Sequence, residues 1–184
     1  MIKNITIFGF SESKPDDPEY QAAFAVAKLL AENGYHIING GGPGVMRAAT
    51  DGAHAGGGKA TAVSFVPKGM TQFEGMDPEN KADEEIIKAN YVERTLELLN
   101  LGDAYVIFNG GTGTISEFGM AWGLARLFFG HHKPLILYGE WWKEIMETFV
   151  ENMRIREVEL KVYKIVTSPQ EVLQEIKRLE NEQP

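Results

Sequence analysis

Apolar positions along the chain alternate between two rhythms. Short β-rich runs of five to seven residues fall at 2–8, 35–39, 60–66, 104–108, 134–138 and 162–166, and each reads as a strand. Between them lie longer stretches with apolar residues every three or four positions, over 20–33, 45–55, 91–101, 115–129, 141–153 and 169–180, and these read as helices. Gly34 closes the first helix, Gly56-Gly57-Gly58 stops the second, and Ser168 caps the last with Pro169 in its first position. Residues 67–80 are the least regular and predict a mobile loop, while 84–89 suits a short strand or a helix equally.

Regular alternation of strand and helix predicts one domain over 1–184, an α/β fold with a doubly wound, mostly parallel sheet and helices on both faces. In such sheets ligands bind beyond the carboxyl ends of the strands, where the strand order switches. Three small-residue loops (9–13, 40–44 and 109–114) should open on that edge.

Composition narrows the function classes. With 184 residues, 43% of them hydrophobic, there is enough chain for a substantial core. Zero cysteines exclude disulfides, thiolate metal sites and a cysteine nucleophile, and fit a cytoplasmic protein. No apolar run nears the roughly 18 residues of a membrane span, and residues 1–14 lack a signal-peptide layout, so no membrane partner is expected. A net charge of −8 argues against a nucleic-acid surface, and an anionic ligand must be held by local groups against that field.

The candidate chemistry centres on 103–126. An apolar strand runs into Gly110, Gly111, Thr112, Gly113 and Thr114, after which a helix begins. Strand, glycine turn and helix is the layout of a phosphate site, where backbone N–H groups and the helix dipole face the anion and the threonines add hydroxyl donors. Gly40, Gly41, Gly42 and Gly44 form a second such loop. Glu117 admits two readings: a capping box with Thr114 as N-cap, or a catalytic carboxylate beside the bound anion. Arg94, on spacing alone, reads as a helix-face cation paired with Glu93 or Glu97.

Other motifs are excluded. Gly9-Phe10-Ser11-Glu12 does not fit G-x-G-x-x-G, and no G-x-x-x-x-G-K-[ST] occurs. His36, His54, His131 and His132 lack metal spacing, so no metal is expected, and the Trp141-Trp142 and Phe128-Phe129 pairs read as core or interface.

The run from Asn109 to Glu117 resembles the P-G-G-x-G-T-x-x-E signature of the Lonely Guy proteins, cytokinin-activating nucleoside 5′-monophosphate phosphoribohydrolases whose relatives often carry a "lysine decarboxylase-like" label. Gly40-Gly-Gly-Pro-Gly-Val-Met46 resembles the family's other glycine loop, Arg94 falls at its catalytic arginine, and Ser11 and Lys133-Pro134 fall where it has related residues. Asn109, Thr95 and Met120 depart from the usual Pro, Lys and second Glu. The resemblance spans 2–138 and implies a Rossmann-like domain that hydrolyses AMP-like nucleotides to free base and ribose 5-phosphate without a cofactor.

It implies Arg94 and Glu117 as catalytic residues, with Ser11, Gly40, Gly41, Gly42, Gly44, Gly110, Gly111, Thr112, Gly113 and Thr114 binding the nucleotide. A non-catalytic alternative fits the same scaffold, either a nucleotide sensor or a carrier of a phosphorylated cofactor like the molybdenum-cofactor carriers that resemble this family. No lysine sits in a recognisable cofactor context to support a decarboxylase. The resemblance, with the apolar density of 122–129, also implies a homodimer or higher assembly.

Overall fold

A computed structural model describes residues 2–67, 69–70 and 76–182. Seven strands form one sheet: β1 (Asn4–Phe8), β2 (His36–Asn39), β3 (Ala60–Phe65), β4 (Glu84–Lys88), β5 (Ala104–Ile107), β6 (Leu135–Tyr138) and β7 (Tyr163–Val166). Their order is β4-β3-β2-β1-β5-β6-β7, and every pairing is parallel. Among the described residues five α-helices lie between strands, α1 (Pro18–Glu32), α2 (Val45–Ala55), α3 (Tyr91–Leu101), α4 (Thr112–Leu127) and α5 (Trp141–Asn152), and a sixth, α6 (Pro169–Glu182), follows β7. The chain therefore has the doubly wound, Rossmann-like architecture.

Strands buried on both faces explain the apolar runs. Ile5, Ile7, Ile37, Val106 and Ile136 point into one core with Tyr20, Ala27, Ala49 and Ile176 of α1, α2 and α6. Their chain neighbours Phe8, Ile38, Tyr105, Ile107 and Leu137 point into the other, with Leu98, Phe118 and Trp142 of α3, α4 and α5. Trp142 is fully buried, its Nε1 donating to the Ile107 carbonyl at 3.1 Å. Phe128 and Phe129 are exposed instead. Ser168 caps α6 as expected: Glu171 N–H donates to Ser168 Oγ at 3.3 Å, and Ser168 N–H to the Glu171 carboxylate at 3.1 Å.

Three expectations change. Residues 84–88 are a strand, an edge partner of β3, with Glu84, Glu85 and Ile87 facing solvent. A 3₁₀ turn (Glu157–Lys161), unforeseen in the pattern, precedes β7. The loop expected to be mobile over 67–80 lies partly outside the described residues, but its far end is tied down. Asp77 N–H donates to the Gly41 carbonyl at 3.0 Å, and Asn80 Nδ2 to the Gly42 carbonyl at 2.9 Å. Among the described residues no helix is long and apolar enough to cross a membrane.

Candidate functional site

The sheet order reverses between β1 and β5, so the loops leaving these strands diverge and a cleft opens between them. Its volume is about 750 Å³. One wall is the β1–α1 loop, with Phe10, Ser11 and Glu12; the opposite wall is the start of α4, with Gly111, Thr112, Gly113, Thr114, Ser116 and Glu117. The end of β1 with Gly9 forms the floor, and Gly40, Met46, Phe65, Met70, Tyr91 and Arg94 line it as well.

Arg94 sits on the inward face of α3 and is only 6% exposed. Its Nε donates to the Val63 carbonyl of β3 at 3.1 Å, its Nη1 donates to Glu117 Oε1, and its Nη2 lies 3.7 Å from Met46 Sδ. The helix-face reading is thus corrected: Glu97 pairs with Lys88 at 3.0 Å, and Glu93 accepts from its helix cap Asn90. Burying a guanidinium requires a partner, and Glu117 supplies the countercharge. Space for it comes from Gly40, because a Cβ there would lie 1.6 Å from Arg94 Nη2.

The structure also decides against capping for Glu117. The N-cap of α4 is Gly111, and Thr114 is already inside the first turn. The Glu117 carboxylate turns inward to the guanidinium, where a charge-assisted bond in a buried setting outweighs one to an exposed N–H. Burial pushes its carboxyl above the ordinary glutamate range, against the opposing pull of Arg94.

The two glycine loops behave differently. Around 40–44, Asn39 Oδ1 accepts from Gly41 N–H at 2.8 Å and from Asn80 Nδ2 at 3.2 Å, while Val45 N–H at the start of α2 donates to the Phe10 carbonyl at 2.9 Å. Gly44 has φ +64°, and a Cβ there would strike the Phe10 carbonyl at 2.3 Å. Of this loop's four glycines, all expected to touch nucleotide, only Gly40 lines the cleft; Gly41, Gly42 and Gly44 are packed against protein. Gly110 likewise lies under Thr114, whose Oγ1 would be 2.0 Å from an added Cβ. Gly111 and Gly113 face open space, the latter with only the Tyr91 hydroxyl within 4 Å. The first-turn N–H groups of α4 there have no intrahelical acceptor, and the dipole favours an anion. Among the described lining residues Arg94 is the one cationic side chain, and it is committed to Glu117, so these N–H groups are the obvious anion donors.

Sequence reasoning placed Arg94, Glu117, Ser11, Gly40, Gly111, Thr112, Gly113 and Thr114, all of which line the cleft. It missed the aromatic wall of Phe10, Phe65 and Tyr91, and also Ser116. One signal was available: Tyr91 precedes Arg94 by three positions, hence shares its helix face. Lys133 stands apart, its Nζ donating to the Leu99, Asn100 and Gly102 carbonyls at 2.8, 3.0 and 2.6 Å, where it closes the end of α3. Thr95 and Met120 are not part of the lining; Thr95 is buried and Met120 packs on the α4 core face.

A family model described as possible lysine decarboxylase matches residues 46–176. An uncharacterized protein of Archaeoglobus fulgidus is 30% identical over 138 residues, covering 75% of this chain and 85% of that one. A Mycobacterium tuberculosis protein named cytokinin riboside 5′-monophosphate phosphoribohydrolase is 30% identical over 138 residues, covering 74% and 71%. Among solved structures, the molybdenum cofactor carrier protein of Chlamydomonas reinhardtii superposes with a TM-score of 0.72 at 18% identity, over 98% of this chain and 99% of that one. The molybdenum cofactor binding protein of Rippkaea orientalis gives 0.70 at 21% identity, over 97% and 98%. At such identities the likeness establishes the fold alone.

Proposed function

The chain belongs to the Lonely Guy, or lysine decarboxylase-like, family, and from that premise we propose that it is a nucleoside 5′-monophosphate phosphoribohydrolase. It cleaves the N-glycosidic bond of an AMP-like nucleotide, releasing the base and ribose 5-phosphate. The observation that carries this reading is the buried Arg94–Glu117 pair opening on the same cleft as the first turn of α4.

In this reading the phosphate sits on the N–H groups of Thr112, Gly113 and Thr114, and the base lies along the wall of Phe10, Phe65 and Tyr91. The ribose then spans toward Glu117. As the bond from C1′ to the base breaks, its electron pair leaves with the base and positive charge spreads over C1′ and the ring oxygen. Glu117 Oε1 is held by Arg94, so the second carboxylate oxygen faces that charge and accepts a proton from the water adding to C1′. At about 4 Å and an effective dielectric near 20, one such charge is worth about 4 kcal/mol, roughly a thousandfold in rate. The base takes up a proton as it departs. Arg94 acts as a positioning residue, because its Nε and Nη1 are already engaged.

Incubation with AMP, followed by chromatography, tests the proposal: adenine and ribose 5-phosphate should accumulate in equal amounts. Tight binding with no adenine released over hours would favour a sensor or carrier instead.

A homodimer belongs to the same reading. Val92 (60% exposed), Leu127 (66%) and Phe128 (60%) leave apolar surface on α3 and at the end of α4. Trp122, in contrast, is half-buried, its Nε1 donating to the Glu159 carbonyl at 2.7 Å. Light scattering should give twice the 20.5 kDa of the chain.

A further inference from the structure

Tyr91 has three attachments that no other residue of the cleft combines among those described. Its place is fixed by the cap of α3, where Asn90 Oδ1 accepts from Glu93 N–H at 2.9 Å. Its ring meets Phe65 edge-on at 6.0 Å, with Arg94 Cζ 6.0 Å from the ring centroid. Its hydroxyl reaches across the cleft to α4 and lies 2.5 Å from Ser116 Oγ.

The direction of that last bond follows from counting protons. Ser116 Oγ is 2.7 Å from the Gly113 carbonyl, an acceptor only, so the serine proton is spent there. Tyr91 must then donate to Ser116 Oγ; its own 3.4 Å separation from the Gly113 carbonyl is too long to compete. The result is a directed chain from Tyr91 O–H through Ser116 O–H to the Gly113 C=O. Hydrogen bonds in series polarise one another, and the peptide whose carbonyl ends this chain carries the Thr114 N–H at its other end. That N–H is one of the first-turn donors of α4.

We propose that Tyr91 is a positioning residue for the substrate phosphate: through Ser116 it fixes and polarises the Gly113–Thr114 peptide, while its ring holds the register with Arg94. The inference rests on the phosphate placement of the preceding section. It concerns the phosphate half of the ligand only, which separates it from a simple role in shaping the base wall.

The test compares two ligands in wild type, Tyr91→Phe and Ser116→Ala. Ribose 5-phosphate carries the anion without a cleavable bond, and adenosine carries base and sugar without the anion. Each variant should bind ribose 5-phosphate about two- to fourfold more weakly, because a donor loses its polarisation and not a bond to the ligand, and should bind adenosine as wild type does, since Tyr91→Phe keeps the ring of the base wall. The double variant should lose no more than the larger single loss, because both act through one chain. The Thr114 amide proton should shift upfield in both variants, a readout that needs no ligand. Equal losses for both ligands, no loss for either, an unmoved Thr114 amide, or no binding of ribose 5-phosphate by wild type would overturn the proposal. Adenine release from AMP by wild type, followed separately, tells failure of the hydrolase reading from failure of this one.

Discussion

Loops 40–44 and 110–114 are close in composition, follow strands that flank β1 on either side, and each lead into a helix. Their surroundings differ. The first is filled by protein, with the Val45 N–H donating to the Phe10 carbonyl, the Gly41 N–H to Asn39 Oδ1, and the Gly42 carbonyl accepting from Asn80 Nδ2. The second presents Gly111 and Gly113 to an open cleft. A glycine loop before a helix is therefore an anion site only where the rest of the fold leaves its N–H groups without a protein acceptor. Where they are occupied, the missing side chains serve packing instead, and here they make room for the guanidinium that orients Glu117.

Substitutions can separate the two roles. The largest expected effect is on rate: Glu117→Gln keeps an amide oxygen for Arg94 yet should cut adenine release by about 10²–10⁴-fold, with AMP binding retained by calorimetry. In wild type the rate should fall as pH drops through the Glu117 value, and this acid limb should lie above the ordinary glutamate range because burial raises that group. A limb at the ordinary value would mean that Glu117 is not the titrating group.

Next in size is Arg94→Ala, which leaves a carboxylate buried without its countercharge and should cost about 3–5 kcal/mol of stability at neutral pH. The sign with pH is set by Glu117. A raised carboxyl binds its proton more tightly in the folded chain, so its favourable contribution is present at low pH and lost as pH rises through the folded value. The deficit of Arg94→Ala in urea melts should accordingly shrink toward acid, and a pH-independent deficit would contradict the pairing.

A smaller effect sharpens the loop comparison directly. Gly40→Ala forces a Cβ against Arg94 Nη2 and should destabilise by about 1–3 kcal/mol, as overpacked sites do. Gly111→Ala, at φ −89° with nothing within 4 Å, should leave the melting temperature nearly unchanged and weaken only phosphate binding. Similar melting curves for the two variants would erase the distinction between packed and open loops.

Much of the fold was legible because strands with two buried faces produce dense apolar runs whatever their neighbours. β4 was not, since its residues 84–88 form an edge strand with charged positions facing water and no two-sided core to leave a pattern. At the site, Gly111 to Thr114 and Glu117 could be found from local spacing, but the choice between capping and ion pairing could not. Both readings need a carboxylate at that position, and only the approach of Arg94 from 23 residues away decides. The same holds for the glycine loops: Phe10, Asp77 and Asn80, which fill the first, are brought in by tertiary packing that no local motif encodes.

The measurement that bears most directly on the division between the loops is a crystal structure of the Glu117→Gln variant with AMP bound. The phosphate should lie within hydrogen-bond reach of the Thr112, Gly113 and Thr114 N–H groups, with ribose C1′ facing residue 117. A phosphate seated instead on Gly41 to Gly44, or a ribose turned away from residue 117, would contradict it.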